Sequence, residues 1–419
     1  MKIDSEIYYN QLQKKYSRKI TLGLSRIKKA LTLLGNPQHR LKNPINIIGS
    51  DGKFSCLTSL KYFIEANGQS TSTFISPHLF DLRSRIWIKN RFISLNEIKK
   101  YEKRISTLNV KLSLFEVLTL IYILAVSKKK IDYNILEAGL MFFGDSTRLF
   151  DKPLIQASTN INRQHVEWIS PKTINEICRQ KIGYLSNQTN IYIGKQNPKT
   201  LKIIKGILKK NKSNITYPSR WKIIYKGKKI FYKDTKCKIR IHSNYIHSKG
   251  LIDNLGLAIK IALDLNIKPE VIQKTIPKIF FEGRLQYIHK GKLRKYVHKN
   301  EKILLDGAHS NTSGKNLYDY LKSLKLPIYC IWGMQKNKLP NNFLKNFNGI
   351  FKKIVTIEIP SEPNSCSADQ LKVIALKQKY EVETASNFKE ALRKITSNKP
   401  KVICFMGSLY LIGSVLKEN

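Results

Sequence analysis

The chain has 419 residues, 42% of them hydrophobic, which is enough to bury the cores of two or three domains and excludes wholesale disorder. No run of eighteen apolar residues occurs and the first six residues lack the apolar region of a signal peptide, so we expect no membrane span. The six cysteines are scattered without paired spacing, which predicts a reducing, cytoplasmic setting and offers no cysteine framework for a metal.

The net charge of +46 comes from 75 lysines and arginines against 29 acidic residues. Such a charge is typical of proteins that bind nucleic acid or anionic membranes. The lysines are spread along the whole chain, however, whereas a binding patch would cluster them. The joint abundance of Lys, Ile and Asn favours the codon bias of an AT-rich genome. Under either interpretation the electric field would attract small polyanionic substrates.

The first part of the chain alternates helical and strand-like patterns. Apolar residues at helical spacing predict helices over 21–36, from the loop after residue 49 to about residue 67, and over 110–126. Short apolar runs bounded by loops predict buried strands at 45–49, 71–75, 133–137, 154–159 and 191–193. Strands that alternate with helices indicate a doubly wound parallel sheet.

A second alternation begins near residue 300. Strands are predicted at 302–306, 328–332, 353–357 and 401–406, with helices between them at 312–324, 368–379 and 387–396. The basic segment between the two series is predicted to be a linker. These patterns divide the chain into domains at 1–285 and 300–419, joined by residues 286–299.

The most informative segment is Ile45–Ser55, in which an apolar run ends at Gly49 and is followed by Gly52, Lys53 and Ser55. A strand that enters a glycine-bearing turn before a helix aims backbone N–H groups at one point, where a lysine adds positive charge. The pattern predicts a phosphate site, with the serine hydroxyl placed to help hold Mg²⁺. Because the match to G-x-x-x-x-G-K-[ST] is imperfect, an ordinary strand–turn–helix corner is the alternative.

Polar side chains also follow the ends of several predicted strands. They are Ser76, His78, Glu137, His165, Glu167, Asp306 and His309. Function in an open α/β sheet gathers at the carboxyl ends of the strands. Each residue alone is more often explained by a turn, a cap or a solvated position than by a functional site. Their joint placement around one phosphate loop favours a site.

Eight motifs stand in order along nearly the whole chain, at residues 49–55, 75–79, 137–148, 164–168, 181–184, 283–286, 305–311 and 407–413. Their order resembles the folylpolyglutamate synthase/dihydrofolate synthase family, a branch of the Mur ligase superfamily. The corresponding family motifs read G-T-N-G-K-G-S, T-S-P-H-L, E-V-G-L-G-G-x-x-D-A-T-N, D-H-T-E-W, K-A-G-I, G-R-L-E, L-D-G-A-H-N-P and G-S-L-Y-L-x-G. Each motif alone is weak, but eight in sequence indicate kinship.

The resemblance implies an ATP-dependent ligase that joins L-glutamate to dihydropteroate or to a folate (poly)glutamate. ATP would phosphorylate the acceptor carboxylate, and the glutamate amine would then displace phosphate from the acyl phosphate. The implied fold has two doubly wound α/β domains: a larger N-terminal P-loop-type ATPase domain and a smaller C-terminal Rossmann-like glutamate-ligase domain. The implied protein is a monomer that uses ATP and Mg²⁺ and has small molecules, rather than nucleic acid or membranes, as partners.

The resemblance also assigns site residues, position by position. ATP would be bound by Gly49, Ser50, Asp51, Gly52, Lys53, Phe54, Ser55, Asn254, Arg284, Asp306 and His309. The metal ligands, directly or through water, would be Ser55, Ser76, Glu137 and His165. Lys53, Lys181 and His165 would be catalytic, and Lys181 matches a lysine that relatives carbamylate into a carboxylate-like metal ligand. Arg85, Phe115 and Glu116 would bind the folate, with core packing as the alternative for Phe115.

Several site positions depart from the family motifs. They are Phe54 for a small residue, Met141 and Phe142 for glycines, Arg148 for asparagine, Gln164 for aspartate and Asn311 for proline. Glycines in such loops permit positive φ or close backbone approach, so bulky replacements imply a repacked loop. The alternatives are an inactive relative, a superfamily ligase with another substrate such as a cell-wall precursor, and a basic nucleic-acid-binding protein. An active enzyme is favoured by the retained residues Lys53, Ser55, Glu137, His165, Lys181, Arg284, Asp306 and His309. The choice between addition of the first glutamate and polyglutamate extension stays open.

Overall fold

The computed structural model describes residues 2–17, 22–164, 166–243, 246 and 248–419. The chain divides into two compact units, the first containing residues up to 243 together with 251–279, and the second containing 244–250 together with 280–419. The segment 286–299, predicted to be a linker, instead belongs to the second unit. It contributes a strand to that unit's sheet, and Ile288 and Leu293 lie in its core. The chain therefore passes from one unit to the other near residues 243, 250 and 279.

The first unit is built on an eight-stranded sheet. Its strands are β1 (Pro44–Ile48), β2 (Thr71–Phe74), β3 (Ile86–Ile88), β4 (Arg91–Phe92), β5 (Tyr133–Glu137), β6 (Ile155–Ser158), β7 (Asn190–Ile193) and β8 (Asn214–Thr216). They lie in the order β4–β3–β2–β5–β1–β6–β7–β8, and all neighbouring pairs are parallel except β2–β3 and β3–β4. Strand β1 lies between β5 and β6, where the strand order reverses. Ligands of open α/β sheets bind at the carboxyl end of such a switch point.

A three-stranded antiparallel sheet, which the sequence patterns did not predict, completes the strands of this unit. It contains β9 (Lys222–Lys226), β10 (Lys229–Lys233) and β11 (Lys238–Ile241), in the order β11–β10–β9. The helices up to residue 279 are α1 (Lys2–Lys15), α2 (Ser25–Leu33), α3 (Lys53–Ala66), α4 (Leu95–Ser106), α5 (Leu114–Val126), α6 (Ile174–Ile182), α7 (Pro198–Leu208), α8 (Lys249–Asp264) and α9 (Pro269–Thr275).

Local sequence explains where several of these elements begin. All five residues of β1 are buried, as expected for an apolar run in the middle of a parallel sheet. Helices α4 and α5 both begin with a capping box, formed by Ser94 with Glu97 and by Ser113 with Glu116. One hydrophobic cluster packs α2, α4 and α5 together, and another packs α6 and α7 around β7. The sheet that carries the candidate site is therefore held by substantial cores.

The second unit contains a six-stranded sheet. Its elements are β12 (Gln286–Ile288), β13 (Glu301–Asp306), α10 (Asn311–Ser323), β14 (Ile328–Trp332), α11 (Pro340–Leu344), β15 (Phe351–Ile357), α12 (Ala368–Lys377), β16 (Val382–Ala385), α13 (Phe388–Arg393), β17 (Lys401–Met406) and α14 (Leu409–Glu418). The strand order is β12–β13–β17–β14–β15–β16, and all strands except β12 are parallel. The predicted α/β fold with two mainly parallel sheets is thus confirmed.

Within the described ranges, no helix is both long enough and apolar enough to cross a membrane.

Candidate functional site

The loop after β1 depends on two glycines. Gly49 has a φ of +148°, and a Cβ at this position would lie 2.0 Å from Thr159 Oγ1. Gly52 has a φ of +86°, and its Cβ would lie 2.2 Å from Asn254 Nδ2. Only glycine combines these positive φ values with such close neighbours. The loop therefore follows a tight course that the sequence pattern predicted.

Helix α3 begins directly after this loop, at Lys53. The N–H groups in the first turn of any helix lack intrahelical acceptors, and the N-cap residue Gly52 has no side chain that could cap them. These N–H groups and the positive end of the helix favour an anion in front of the loop. The backbone N–H groups of Ser50 and Asp51 instead donate to Asn160 O, over 2.8 and 3.3 Å. These two N–H groups are therefore already engaged within the protein, and the assignment of residues 49–55 to ATP binding stays a prediction.

The Lys53 side chain folds back toward the backbone of the loop that precedes it. Its Nζ lies 3.3 Å from both Gly49 O and Ser50 O, and 3.9 Å from Glu137 Oε1 at the end of β5. Glu137 Oε2 in turn accepts from the backbone N–H of Ser76, over 3.4 Å. Three of the predicted residues, from the carboxyl ends of β1, β5 and β2, are thus brought together.

Ser55 and Asn254 meet on the other side of Gly52. Ser55 Oγ donates to Gly52 O over 2.9 Å and accepts from Asn254 Nδ2 over 3.0 Å. The hydroxyl oxygen still has a lone pair after these two contacts, as coordination of a cation would require. The sequence-predicted Asn254, 199 residues from Ser55, is therefore at the phosphate loop. Phe54, the bulky departure, lies in the first turn of α3 and is partly buried.

Lys181 is 1% exposed and lies beneath the same loop. Its Nζ donates to Gly49 O over 3.1 Å and to Leu140 O over 2.5 Å. Burial, together with the positive charge of Lys53, lowers the pKa of Lys181 to about 7. A substantial fraction of this amine is consequently neutral near pH 7. Lys181 is thus a buried group at the centre of the site, not one of the many surface lysines.

The expected metal ligands among the described residues are all oxygen donors: two hydroxyls, on Ser55 and Ser76, and the carboxylate of Glu137. Hard oxygen donors of this kind suit Mg²⁺, which usually also keeps waters and substrate phosphates in its coordination shell. The donor set therefore fits the predicted ion. His165, predicted as both a metal ligand and a catalytic residue, lies outside the described residues.

The segment after β5 is organised by Asp145, whose importance the residue patterns alone did not reveal. Its Oδ2 accepts from the N–H groups of Gly139 and Leu140, over 2.8 and 3.0 Å. Its Oδ1 accepts from the N–H and hydroxyl of Thr147, over 2.9 and 2.7 Å. These bonds place Leu140 O where it can receive Lys181. Asp145 does occupy the aspartate position of the family motif E-V-G-L-G-G-x-x-D-A-T-N, which was the available signal.

The departures in this segment are accommodated by packing. Met141 and Phe142 are fully buried in the hydrophobic cluster that also contains Cys178 and Ile182, and neither has a positive φ. Arg148 lies over the ring of Tyr184, with Cζ 5.3 Å from the ring centroid. Tyr184 itself replaces isoleucine in the fifth motif, so two departures from the family contact each other. The loop is repacked as expected, without distorting the backbone at residues 141 and 142.

The three predicted folate-binding residues have different surroundings. Phe115 stacks on Phe74 and covers Gly139, where an added Cβ would approach the Phe115 ring to 2.8 Å. Glu116 is buried, takes part in the capping box of α5 and forms an ion pair with Arg26 over 3.1 Å. These contacts account for a buried glutamate at this position without a bound ligand. Phe115 therefore adjoins the candidate site while also packing against the core.

Arg85, the third predicted folate-binding residue, forms a hydrogen bond with His78. Its Nε donates to His78 Nδ1 over 2.7 Å, and Tyr9 of α1 packs edge-on against the His78 ring. Burial and the Arg85 charge hold the pKa of His78 well below its usual value. His78 is therefore neutral with its proton on Nε2, and Arg85 fixes that tautomer. The roles of Tyr9 and His78 could not be deduced from sequence spacing, since α1 is distant along the chain.

The second unit brings together Arg284, Asp306 and His309. Asp306 accepts from the N–H groups of Leu285 and Ala308, over 2.9 and 2.8 Å, and burial raises the pKa of its carboxyl group. A Cβ on Gly307 would lie 2.5 Å from Arg284 Nη1. His309 Nδ1 lies 2.8 Å from Gly307 O, which can only accept, so the proton is on Nδ1. Two predicted motifs, at 283–286 and 305–311, thus form one cluster within this unit.

Comparison with known proteins gives a consistent result. A family model described as "Dihydrofolate synthetase, C-terminal domain" matches residues 289–418. The dihydrofolate synthase/folylpolyglutamate synthase of Bacillus subtilis (strain 168) is 24% identical over 428 residues, covering 94% of this chain and 94% of that protein.

Two solved structures share the fold over nearly the full length. The folylpolyglutamate synthase of Mycobacterium tuberculosis, complexed with ADP and AMPPCP, superposes with a TM-score of 0.87 at 19% identity and covers 100% of this chain and 98% of its own. The bifunctional enzyme of Yersinia pestis, complexed with AMPPNP and a Mn ion, gives 0.84 at 20% identity, covering 98% and 97%. The chain is thus similar in sequence, over nearly its full length, to a dihydrofolate synthase/folylpolyglutamate synthase, and its residues 289–418 match the C-terminal-domain model. It shares the fold of both solved structures.

Proposed function

We propose that the protein is an ATP-dependent ligase that joins L-glutamate to the carboxylate of dihydropteroate, of a folate (poly)glutamate, or of both. The acceptor carboxylate is phosphorylated first, because an unactivated carboxylate has no suitable leaving group. The glutamate amine then attacks the acyl phosphate and forms the amide as phosphate leaves. The observation that carries this proposal is the convergence of Lys53, Glu137 and Lys181 on one glycine-shaped loop at the switch point of the sheet.

The phosphate loop is the part of the chain suited to the transferred phosphoryl group. The first-turn N–H groups of α3 and the Lys53 ammonium supply fixed positive charge where phosphoryl oxygens gain negative charge. Lys53 now contacts two backbone carbonyls and lies near Glu137, so a bound triphosphate would compete for its Nζ. The relative from Mycobacterium tuberculosis was solved with ADP and AMPPCP, which supports the assignment of a nucleotide site.

Magnesium is proposed to be held by Ser55, Ser76 and Glu137, with His165 as a predicted further ligand. When bound, it would neutralise charge on the phosphates and fix their geometry. The Mn ion in the Yersinia pestis structure, bound together with AMPPNP, supports the use of a divalent metal. The chain's own contribution is to hold Glu137 in place through the N–H of Ser76.

Lys181 is proposed to be carbamylated in the active enzyme. Only a neutral amine reacts with CO₂, and the pKa of about 7 provides that form at neutral pH. The product would replace a buried cation by an anion beside the metal ligands. The proposed nucleotide ligands in the second unit are Arg284, Asp306 and His309. The proposed folate-binding residues in the first unit are Phe115 and Arg85, and Arg85 would act by orienting His78.

The proposal is tested by measuring ADP release in the presence of Mg²⁺, ATP and L-glutamate, with dihydropteroate or tetrahydrofolate offered in turn. We expect ADP release that requires both glutamate and one acceptor. Turnover with only one acceptor would identify the reaction of this chain. ADP release that is independent of glutamate, or absent with both acceptors, would contradict the proposal and favour an inactive relative.

A further inference from the structure

A second layer of side chains holds the phosphate loop from the segment after β6. The Asp51 carboxylate accepts from Gln164 Nε2 over 3.1 and 3.0 Å, one distance to each oxygen, and from Asn162 Nδ2 over 2.6 Å. Nearby, Ser50 Oγ bonds to the backbone of Asn162. The loop and the segment 160–164 are therefore joined by side-chain as well as backbone hydrogen bonds.

A carboxylate in a phosphate-binding loop needs such a restraint. Asp51 directly precedes Gly52 and the start of α3, so its negative charge would oppose an incoming phosphate if it faced the same space. The amide groups of Gln164 and Asn162 satisfy both of its oxygens on the side of residues 160–164. Hydrogen bonds to a charged group are stronger than those between neutral groups, so this contact can fix the carboxylate's direction.

Asp51 and Gln164 both depart from the family motifs. The family's G-T-N-G-K-G-S has asparagine at the position of Asp51, and its D-H-T-E-W has aspartate at the position of Gln164. The two departures therefore fall on one contact, and the carboxylate and the amide have exchanged places. An asparagine–aspartate pair at these positions could make the same hydrogen bond with donor and acceptor reversed.

We infer that Asp51 and Gln164 are a compensated pair that positions the phosphate loop for nucleotide binding, with Gln164 acting through Asp51. The departure at Gln164 then preserves the site rather than marking its loss. This inference rests on the proposed function, because the readout is nucleotide affinity. It assigns Gln164 as a positioning residue and requires no contact between Gln164 and the nucleotide.

The test uses isosteric exchanges, which keep every side chain the same size. Asp51→Asn, Gln164→Glu and the double variant are compared with the unmodified protein by calorimetric titration with AMPPCP and Mg²⁺, and each melting temperature is measured. Gln188→Glu, at an exposed position of the same unit, controls for added negative charge.

We expect Gln164→Glu to weaken AMPPCP binding about tenfold or more, because two carboxylates then face each other across a hydrogen-bond distance. Asp51→Asn should weaken it less, since an amide can still accept from Asn162. In the double variant the new asparagine can donate to the new glutamate and accept from Asn162. Its affinity should therefore return to within about threefold of the unmodified protein, a difference worth less than one kcal/mol, and Gln188→Glu should leave it unchanged.

Several results would overturn the inference. Losses that multiply in the double variant would show that the two residues do not act as a pair. Lower melting temperatures with unchanged AMPPCP affinity would show a contact that is only structural. If the unmodified protein bound no AMPPCP, both the proposed function and the positioning role of Gln164 would be contradicted. Intact binding by the unmodified protein without recovery in the double variant would overturn the pairing alone.

Discussion

Lys181 Nζ donates to Gly49 O over 3.1 Å, so a buried lysine from α6 supports the first glycine of the phosphate loop, 132 residues earlier in the chain. The same ammonium also reaches Leu140 O, which lies in the segment organised by Asp145. Three motifs of the family are thus connected through one side chain. The protonation state of Lys181 must therefore matter both for stability and for the site.

The first prediction concerns the pH dependence of stability. The pKa of Lys181 is about 7 when folded, against about 10.4 for an unfolded lysine. Between these two pKa values the unfolded state binds a proton that the folded state lacks. The free energy of unfolding should therefore increase as the pH rises from 7 to 10. Below pH 7 Lys181 is charged while buried, and the folded protein is then less stable than at pH 10 by up to about 5 kcal/mol for such a pKa shift.

Lys181→Met should therefore gain stability relative to the unmodified protein mainly at pH 6, and that relative gain should shrink toward pH 10. Urea unfolding at pH 6, 8 and 10 in buffers free of CO₂ measures it. A difference in unfolding free energy that stays constant across this range would show that Lys181 is an ordinary ammonium in the fold.

The second prediction concerns Lys53. Its ammonium is the only positive side chain that we assign to the phosphates within the loop, so Lys53→Ala should weaken ATP binding by about 30-fold or more. The matched control is Lys199→Ala, which removes an exposed charge at the start of α7. Isothermal titration with ATP and Mg²⁺ measures the affinity of both variants. Equal ATP affinities of Lys53→Ala and Lys199→Ala would show that Lys53 does not contribute to nucleotide binding.

The third prediction compares two glycine substitutions. Gly52→Ala places a Cβ 2.2 Å from Asn254 Nδ2 at a φ of +86°, so it should destabilise the protein and impair nucleotide binding. Gly206→Ala lies inside α7 with nothing within 4 Å of the new Cβ, and it should stabilise by about 0.5–1 kcal/mol. Thermal melts and nucleotide titrations test both. Similar shifts of melting temperature in the same direction would refute the distinction.

The fourth prediction concerns a departure from the family. Phe142→Gly restores the family's glycine but empties a fully buried position in the core around Cys178 and Ile182. It should cost about 3–5 kcal/mol of stability, as for other large-to-small core changes. Denaturant unfolding provides the value. A cost below about 1 kcal/mol would indicate that this segment is not packed as described.

Much of the fold was predictable because strong local patterns specified it. The strands at 133–137 and 328–332 match their predicted bounds, since apolar runs in parallel sheets are bounded by clear loop residues. The sequence patterns do not predict the antiparallel sheet β9–β11, whose strands read KIIYK, KIFYK and KIRI. The lysines of these strands do not stand out against the general excess of lysine. The sequence around β12 is typical of a linker because this strand has only three residues and basic neighbours.

The candidate site was predicted in outline rather than in detail. Lys53, Ser55 and Glu137 could be proposed because their motifs place them at strand ends, and the structure brings Lys53 to Glu137 and Ser55 to Asn254. The contact of Gln164 with Asp51 was not foreseen, since it depends on how two loops fold against each other. The sequence also does not reveal the structural role of Glu116. A glutamate that belongs to a capping box cannot be distinguished from a functional acid until its hydrogen-bond partners are known.

We propose that a nucleoside triphosphate binds at the start of α3, and a crystal structure of the protein with AMPPCP and Mg²⁺ would show this binding site. We expect phosphate oxygens within hydrogen-bond distance of Lys53 Nζ and of the first-turn N–H groups of α3, with the metal near Ser55 and Glu137. Electron density in which the Phe54 ring fills that space, and the nucleotide is absent or lies elsewhere, would contradict it.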